Sequence, residues 1–239
     1  MNSADVFLHE FEMLTRTLTF GRVLDRFRRA PTDTTTHRQL LLELQHVINV
    51  HSRLCEVAAD VVKPEDRNAW QDLLAVPALG FDQGGSFLED LRALGIHSLD
   101  RVSLTPLPQT IALAAYAHYQ LMERAAVGLV GYLWFFERMP RLFYPLWVES
   151  SRRGGVPERA LKALTAGTLD DELRDQHVAR CCRQIVRRPR DLGLATQTLR
   201  ETAELFASMV DAALQRIESG YFMDTDPAEI TGGGMGQVA

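Results

Sequence analysis

Apolar residues return every three or four positions along almost the whole chain, and no convincing stretch alternates apolar with polar residues. A spacing near 3.6 buries one stripe of a helix, whereas a half-buried strand needs a period of two. The pattern therefore restricts the chain to an all-α fold. Val6, Leu8, Phe11, Leu14 and Leu18 open the first helix, with Ser3 or Asp5 as its cap and Pro31 as its end. The segment "TTTHRQLLLELQHVINVHSRLCEVAADVV" predicts a long second helix closed by Pro64. Shorter helices follow from Pro64 to about Ala75 and from Phe87 to Leu94, with Gly95 as terminator and a proline-containing loop over 96–108. From Gln109 to Met139 the chain is apolar on nearly every side, which predicts a central helix surrounded by others and ended by Pro140. Helices near 157–166, 168–187 and 191–219 complete the bundle.

With 239 residues, 46% of them apolar, the chain can bury one sizeable core without a disulfide or metal staple. Its formal net charge of −5 lacks the basic footprint that nucleic acid demands. Three cysteines make no disulfide framework, and Cys55 falls in an apolar helical pattern as a small buried thiol. The first residues carry no basic segment followed by an apolar one, so they are not read as a secretory leader. The longest apolar runs, such as "AVGLVGYLWFF", reach about half the ~20 residues a bilayer requires. A cytoplasmic protein without membrane partners is the expectation. Residues 1–222 read as one domain and 223–239 as a flexible tail, whose glycines follow no strand and open no helix and so make no phosphate loop.

Polar residues stranded among apolar ones mark the places where chemistry could occur. Glu137 closes "GYLWFFE", where its carboxylate either finds a positive partner or metal, or reaches solvent beside Pro140. In "TLDDELRDQH" a helix places Asp170, Arg174 and His177 on one face. Glu43 and His46 have the ExxH spacing of carboxylate metal bundles, but a single such pair reads as capped or solvent-facing. His51 and His118 read as hydrogen-bonded core or groove residues. Arg183, Arg187, Arg188 and Arg190 complement a helix C-terminus.

The order of these features resembles the haem-oxygenase-like helical proteins, in particular their iron-containing oxidase and oxygenase branch, relatives of the TenA and PqqC folds. "FLEDLRALGI" (87–96), the proline loop, "AYAHYQLMERAAVGLVGYLWFFE" (115–137) and "LDDELRDQHVA" (169–179) carry the resemblance, which spans roughly 35–215. It implies a single-domain all-α bundle of that fold. It also implies metal ligands at Glu137, Asp170 and His177, with Asp170 where the family has a histidine and Arg174 where it has an aspartate. Upstream, Val76 and Gln83 stand near the expected acid and histidine, with Asp82 and Glu89 as imperfect substitutes. Those departures leave room for one iron ion and not for two. Arginine cannot ligate, but its planar fork pairs with carboxylates, so Arg174 could hold Asp170 one turn below and Glu137 across the bundle.

Two functions follow from the resemblance. One is an oxidase or oxygenase acting on a small amino-acid-derived or acyl substrate with one iron or no metal, in which Arg174, His177 and Tyr132 supply the cationic and proton-transfer groups. His118, Glu123 and Trp134 would line its pocket. The other is a non-catalytic member that keeps the bundle as a binding or assembly module. An enzyme needs an enclosed pocket of a few hundred Å³, which Trp134, Phe135, Phe136, Phe143 and Trp147 are large enough to fill. The fold also implies a possible homodimer.

Overall fold

The computed structural model describes residues 3–62, 67–74, 84–96, 106–124, 126–166 and 172–218. Ten α-helices account for most of them: α1 (Ser3–Leu14), α2 (Leu18–Arg29), α3 (Thr34–Val61), α4 (Arg67–Leu74), α5 (Gly84–Ala93), α6 (Pro108–Tyr119), α7 (Ala126–Arg153), α8 (Lys162–Ala166), α9 (Glu172–Ile185) and α10 (Pro189–Glu218). No strand occurs among the described residues. The segment 223–239, read as a flexible tail, lies outside them.

The first expected helix is two. Thr17 leaves the helical conformation, and its hydroxyl accepts the Phe20 amide at 3.2 Å, so a threonine cap opens α2 where continuous apolar spacing predicts no break. Asp33 opens α3 in the same way, its carboxylate accepting the Thr36 amide at 2.7 Å.

The expected central helix divides differently as well. A single π-helical turn, Gln120–Arg124, follows α6, and α7 then runs straight through Pro140 and Pro145 to Arg153. Each proline removes a helical hydrogen bond and costs about 3 kcal/mol in an isolated helix. The surrounding core outweighs that cost, because every residue from Gly128 to Glu137 is buried, as are Met139, Pro140, Phe143, Tyr144 and Trp147. α7 is thus the enclosed central helix, while α6 is not: it buries Thr110, Leu113 and Ala117 and leaves Ile111, Ala112 and Ala115 exposed.

α7 packs most extensively against α10. Gly131 permits this approach, since a Cβ there would stand 1.9 Å from the Ala195 carbonyl oxygen and 2.7 Å from the Leu199 amide nitrogen. The far end of α7 is tied to the α2–α3 turn. The Ser150 hydroxyl donates to the Ala30 carbonyl at 2.7 Å, the Thr32 amide donates to the Ser150 carbonyl at 3.0 Å, and Thr32 leaves no room for a side chain at Gly154.

Rings from four helices fill the space between α1, α2, α7 and α10. Phe135 meets Phe20 at 5.8 Å and Phe206 at 5.4 Å; Phe143 meets Phe27 at 4.9 Å, Trp147 at 5.6 Å and Phe206 at 5.6 Å. The tilted and edge-on arrangements are the favourable ones for aromatic quadrupoles.

Candidate functional site

The residues singled out in the sequence meet different neighbours. Glu137 lies inside α7, only 3% exposed, because the helix does not end at Pro140. Its carboxylate faces Arg141 one turn later, whose guanidinium stands 3.4 Å from Oε1. The same side of α7 approaches α9: the buried Cys182 thiol is pushed up, first by burial and then by the charges of neighbouring groups that include Glu137. Arg138, the next residue, lays its guanidinium over the Trp134 ring at 5.2 Å.

His177 is held on both sides of its ring. The Arg180 guanidinium can only donate, so Nδ1 accepts that bond at 2.7 Å, and Nε2 carries the proton and donates to the Asp72 carbonyl at 3.0 Å. Cys181 Sγ lies 3.6 Å from Nε2. α9 thereby docks on α4 through the residue that the resemblance makes a ligand. Asp170 and the side chain of Arg174 lie outside the described residues, as do Val76, Asp82 and Gln83.

Tyr132 is fully buried against His51, whose ring is stacked on it at 5.7 Å, and against Phe136 at 4.8 Å. Burial drives its hydroxyl far above the usual tyrosine range, and so the phenol keeps its proton. His51 is pushed down to about 4 by burial, and Cys55, 3.5 Å from His51 Nε2, is pushed up to about 11 by burial and by Glu56. All three groups are therefore neutral near pH 7. Trp134 points elsewhere, packing on Phe7 at 5.4 Å. His118 is half-buried at the end of α6, and Glu123 is exposed in the π-helical turn.

Glu43 is the buried carboxylate with the fullest set of described hydrogen bonds. It accepts from Gln39 Nε2 at 2.6 Å, from the Leu107 amide at 3.1 Å and from the Thr110 hydroxyl at 2.5 Å. Leu107 itself offers no capping side chain, so a residue of α3 caps α6. Asp90 does the same for the chain entering α8: it accepts the Ala163 amide at 2.9 Å, and burial pushes its carboxyl up to about 6. Sequence reasoning missed Arg141, although Glu137 and Arg141 have the i, i+4 spacing of a helical ion pair. It also missed His37, whose Nε2 donates to the Ala160 carbonyl at 3.1 Å while Nδ1 accepts from the Ser151 hydroxyl at 2.9 Å.

Whether these residues suit the iron that the resemblance implies can be asked of the donors themselves. A ligating histidine needs one ring nitrogen with its lone pair free, and His177 spends its lone pair on Arg180 and its proton on Asp72. Glu137 already faces a guanidinium. Among the described residues no three His, Cys, Asp or Glu side chains gather to hold a metal ion. The described donors do not fit an iron ion. The described residues do form a cleft of about 140 Å³, but it opens at the α2–α3 corner between Arg26, Phe27, Pro31, Asp33 and Leu214, away from Glu137 and His177.

No described helix is long and apolar enough to cross a membrane. No known protein-family model matches the chain, and no curated protein matches it. Among solved structures, it is similar to a domain of unknown function with a haem oxygenase-like fold from Shewanella denitrificans OS217, at a TM-score of 0.74 and 13% identity over 93% of this chain and 94% of that one. The chain is thus a single all-α domain with the haem-oxygenase-like fold.

Proposed function

We propose that the chain is a non-catalytic bundle of this fold that works as a binding or assembly module. One observation carries the reading: the three described residues to which the resemblance gives ligand or catalytic roles, Glu137, His177 and Tyr132, are each closed by protein neighbours. Arg141 neutralises Glu137, Arg180 and Asp72 take both nitrogens of His177, and Tyr132 is sealed under His51 and Phe136. The ring packing among Phe135, Phe143, Trp147 and Phe206 agrees with it, because it fills the space between α2, α7 and α10 with side chains.

The competing reading is an oxidase or oxygenase of small amino-acid-derived or acyl substrates. A specific observation favours it: Glu137 remains a buried carboxylate at the position where the resemblance puts a ligand. Anaerobic loading with ferrous iron, followed by metal analysis of the desalted protein, separates the module from an iron-dependent oxidase. The module reading expects no stoichiometric iron. About one iron per chain, lost in His177→Ala, would overturn it.

A further inference from the structure

We infer that the corner joining α9 to α10 is an interaction surface for an acidic segment of a partner protein. The inference rests on the module reading and names the class of partner. Arg180, Arg183, Arg187, Arg188 and Arg190 fall within eleven residues, all five are exposed, and no Asp or Glu occurs between Asp175 and Asp191. Two of the five are engaged: Arg180 donates to His177, and Arg187 Nε donates to the Gln184 carbonyl. Arg183, Arg188 and Arg190 take part in none of the described ion pairs. Elsewhere the surface is settled differently, with Arg22 on Asp211, Arg152 on Glu158 and Arg200 on Glu10.

The end of α9 does not account for this concentration of cations. Its last carbonyls attract positive groups, and Arg187 already serves that of Gln184. Arg188 and Arg190 stand beyond that end, at the start of α10, where exposed amides make the helix end positive and favour acids. Asp191 is the acid of that first turn, and its carboxylate accepts the Arg188 amide at 3.3 Å. The corner therefore holds a positive potential that the described side chains leave largely uncompensated, and an arriving carboxylate offsets it.

Charge also selects the occupant. The whole chain has a formal net charge of −5, so the residues outside these five arginines carry −10. A nucleic-acid duplex or an anionic bilayer is extended, and sets its charge against that acidic remainder as well as against the corner. A short acidic segment confines its carboxylates to the arginines, whose planar forks bind carboxylate through paired hydrogen bonds. Bilayer binding also draws on apolar side chains beside the cations, and the large ones exposed on the described surface lie on α1, α3, α6 and the π-helical turn instead.

The test is fluorescence anisotropy of the full chain with a labelled peptide of about ten glutamates, ~33 Å long when extended, beside a DNA duplex and co-sedimentation with phosphatidylserine-containing vesicles. Arg183→Glu/Arg188→Glu/Arg190→Glu is compared with Arg16→Glu/Arg53→Glu/Arg67→Glu, which makes the same change of charge at exposed arginines elsewhere, and urea unfolding checks each fold. The inference expects wild type to bind the peptide at roughly 10–100 µM in low salt, more tightly than duplex or vesicle, and to release it as salt rises. The corner variant should weaken binding at least about tenfold and the matched variant less than about threefold. No peptide binding by wild type, equal losses in the two variants, or tighter binding of duplex or vesicle overturns it. The two readings fail separately: stoichiometric iron in a protein whose peptide binding the corner variant removes sinks the module reading alone, and a protein that takes up neither iron nor peptide sinks only the acidic-partner surface.

Discussion

Arg141 stands one helical turn beyond Glu137 and brings its guanidinium to 3.4 Å from a carboxylate that is almost wholly buried. The cation facing this acid therefore comes from its own helix. Removing one member of a buried pair leaves the other charged and desolvated, which costs more than the pair contributes. Neither residue depends on that contact alone, so Arg141→Met is expected to lose about 2 kcal/mol, less than the ~3–5 kcal/mol of a fully isolated pair. Glu137→Gln/Arg141→Met should recover most of that loss. Urea unfolding of the two variants checks it, and an Arg141→Met protein as stable as wild type would count against the pairing.

The contact between α7 and α10 gives a second prediction, because two glycines differ sharply in what surrounds them. A methyl group at Gly131 would collide with α10 backbone at Ala195 and Leu199, whereas one at Gly193 would meet nothing within 4 Å. Backbone cannot rotate aside as a side chain can. Gly131→Ala should cost at least ~3 kcal/mol, and Gly193→Ala should be neutral or stabilise by up to ~1 kcal/mol through helix propensity. Thermal unfolding of both variants tests the claim, and equal effects would refute it.

Acid stability follows from two buried histidines opposed by one aspartate. Burial holds His37 and His51 down at about 4, against an ordinary 6.5, with the Ala160 carbonyl partly opposing the shift at His37. Between those values the unfolded chain binds protons that the folded chain refuses, so their contribution is present above pH 6.5 and is lost as the pH falls toward 4. Each is worth roughly 3 kcal/mol across that window. Asp90 has the opposite sign: raised to about 6, mainly by burial, it favours the fold below its ordinary 3.8 and ceases to as the pH rises through 6. The two histidines outweigh it, so stability should fall on acidification from pH 6.5 to 4. His51→Phe keeps a ring against Tyr132 and removes one titrating group. It should flatten the slope by up to ~1.4 kcal/mol per pH unit, and an unchanged slope in urea midpoints between pH 4.5 and 7 would contradict the assignment.

What could be read from the sequence, and what could not, divides along a physical line. The all-α class follows from local periodicity, and the burial of α7 from an apolar run, Gly128–Phe136, that leaves no polar side. The end expected at Pro140 does not occur, because proline's local cost is outweighed by packing that involves residues far along the chain, such as Phe27 and Phe206 around Phe143. The break at Thr17 depends on a single hydroxyl, too small a signal to disturb apolar spacing. At the candidate site, periodicity could place Glu137 and His177 on helices but could not say what stands opposite them. Arg180 three residues from His177 and Arg141 four from Glu137 were visible as spacings; the Asp72 carbonyl, 105 positions away, was not.

The cap on α6 is the last case in which a distant residue decides a local structure. Glu43 on α3 accepts the Leu107 amide and the Thr110 hydroxyl, and so holds the first turn of a helix whose own N-cap is a leucine. Glu43→Ala would strand the Thr110 hydroxyl and the Leu107 amide in the interior, a loss of about 2 kcal/mol or more. The damage should be local before it is global, since the rest of α6 is held by Leu113 and Ala117, and the π-helical turn after it by Leu121. Hydrogen exchange of Glu43→Ala should therefore show faster exchange in the first turn of α6, with the amides of α7 and α10 protected nearly as in wild type. Uniform acceleration across the three helices would mean that Glu43 supports the whole core rather than one helix end.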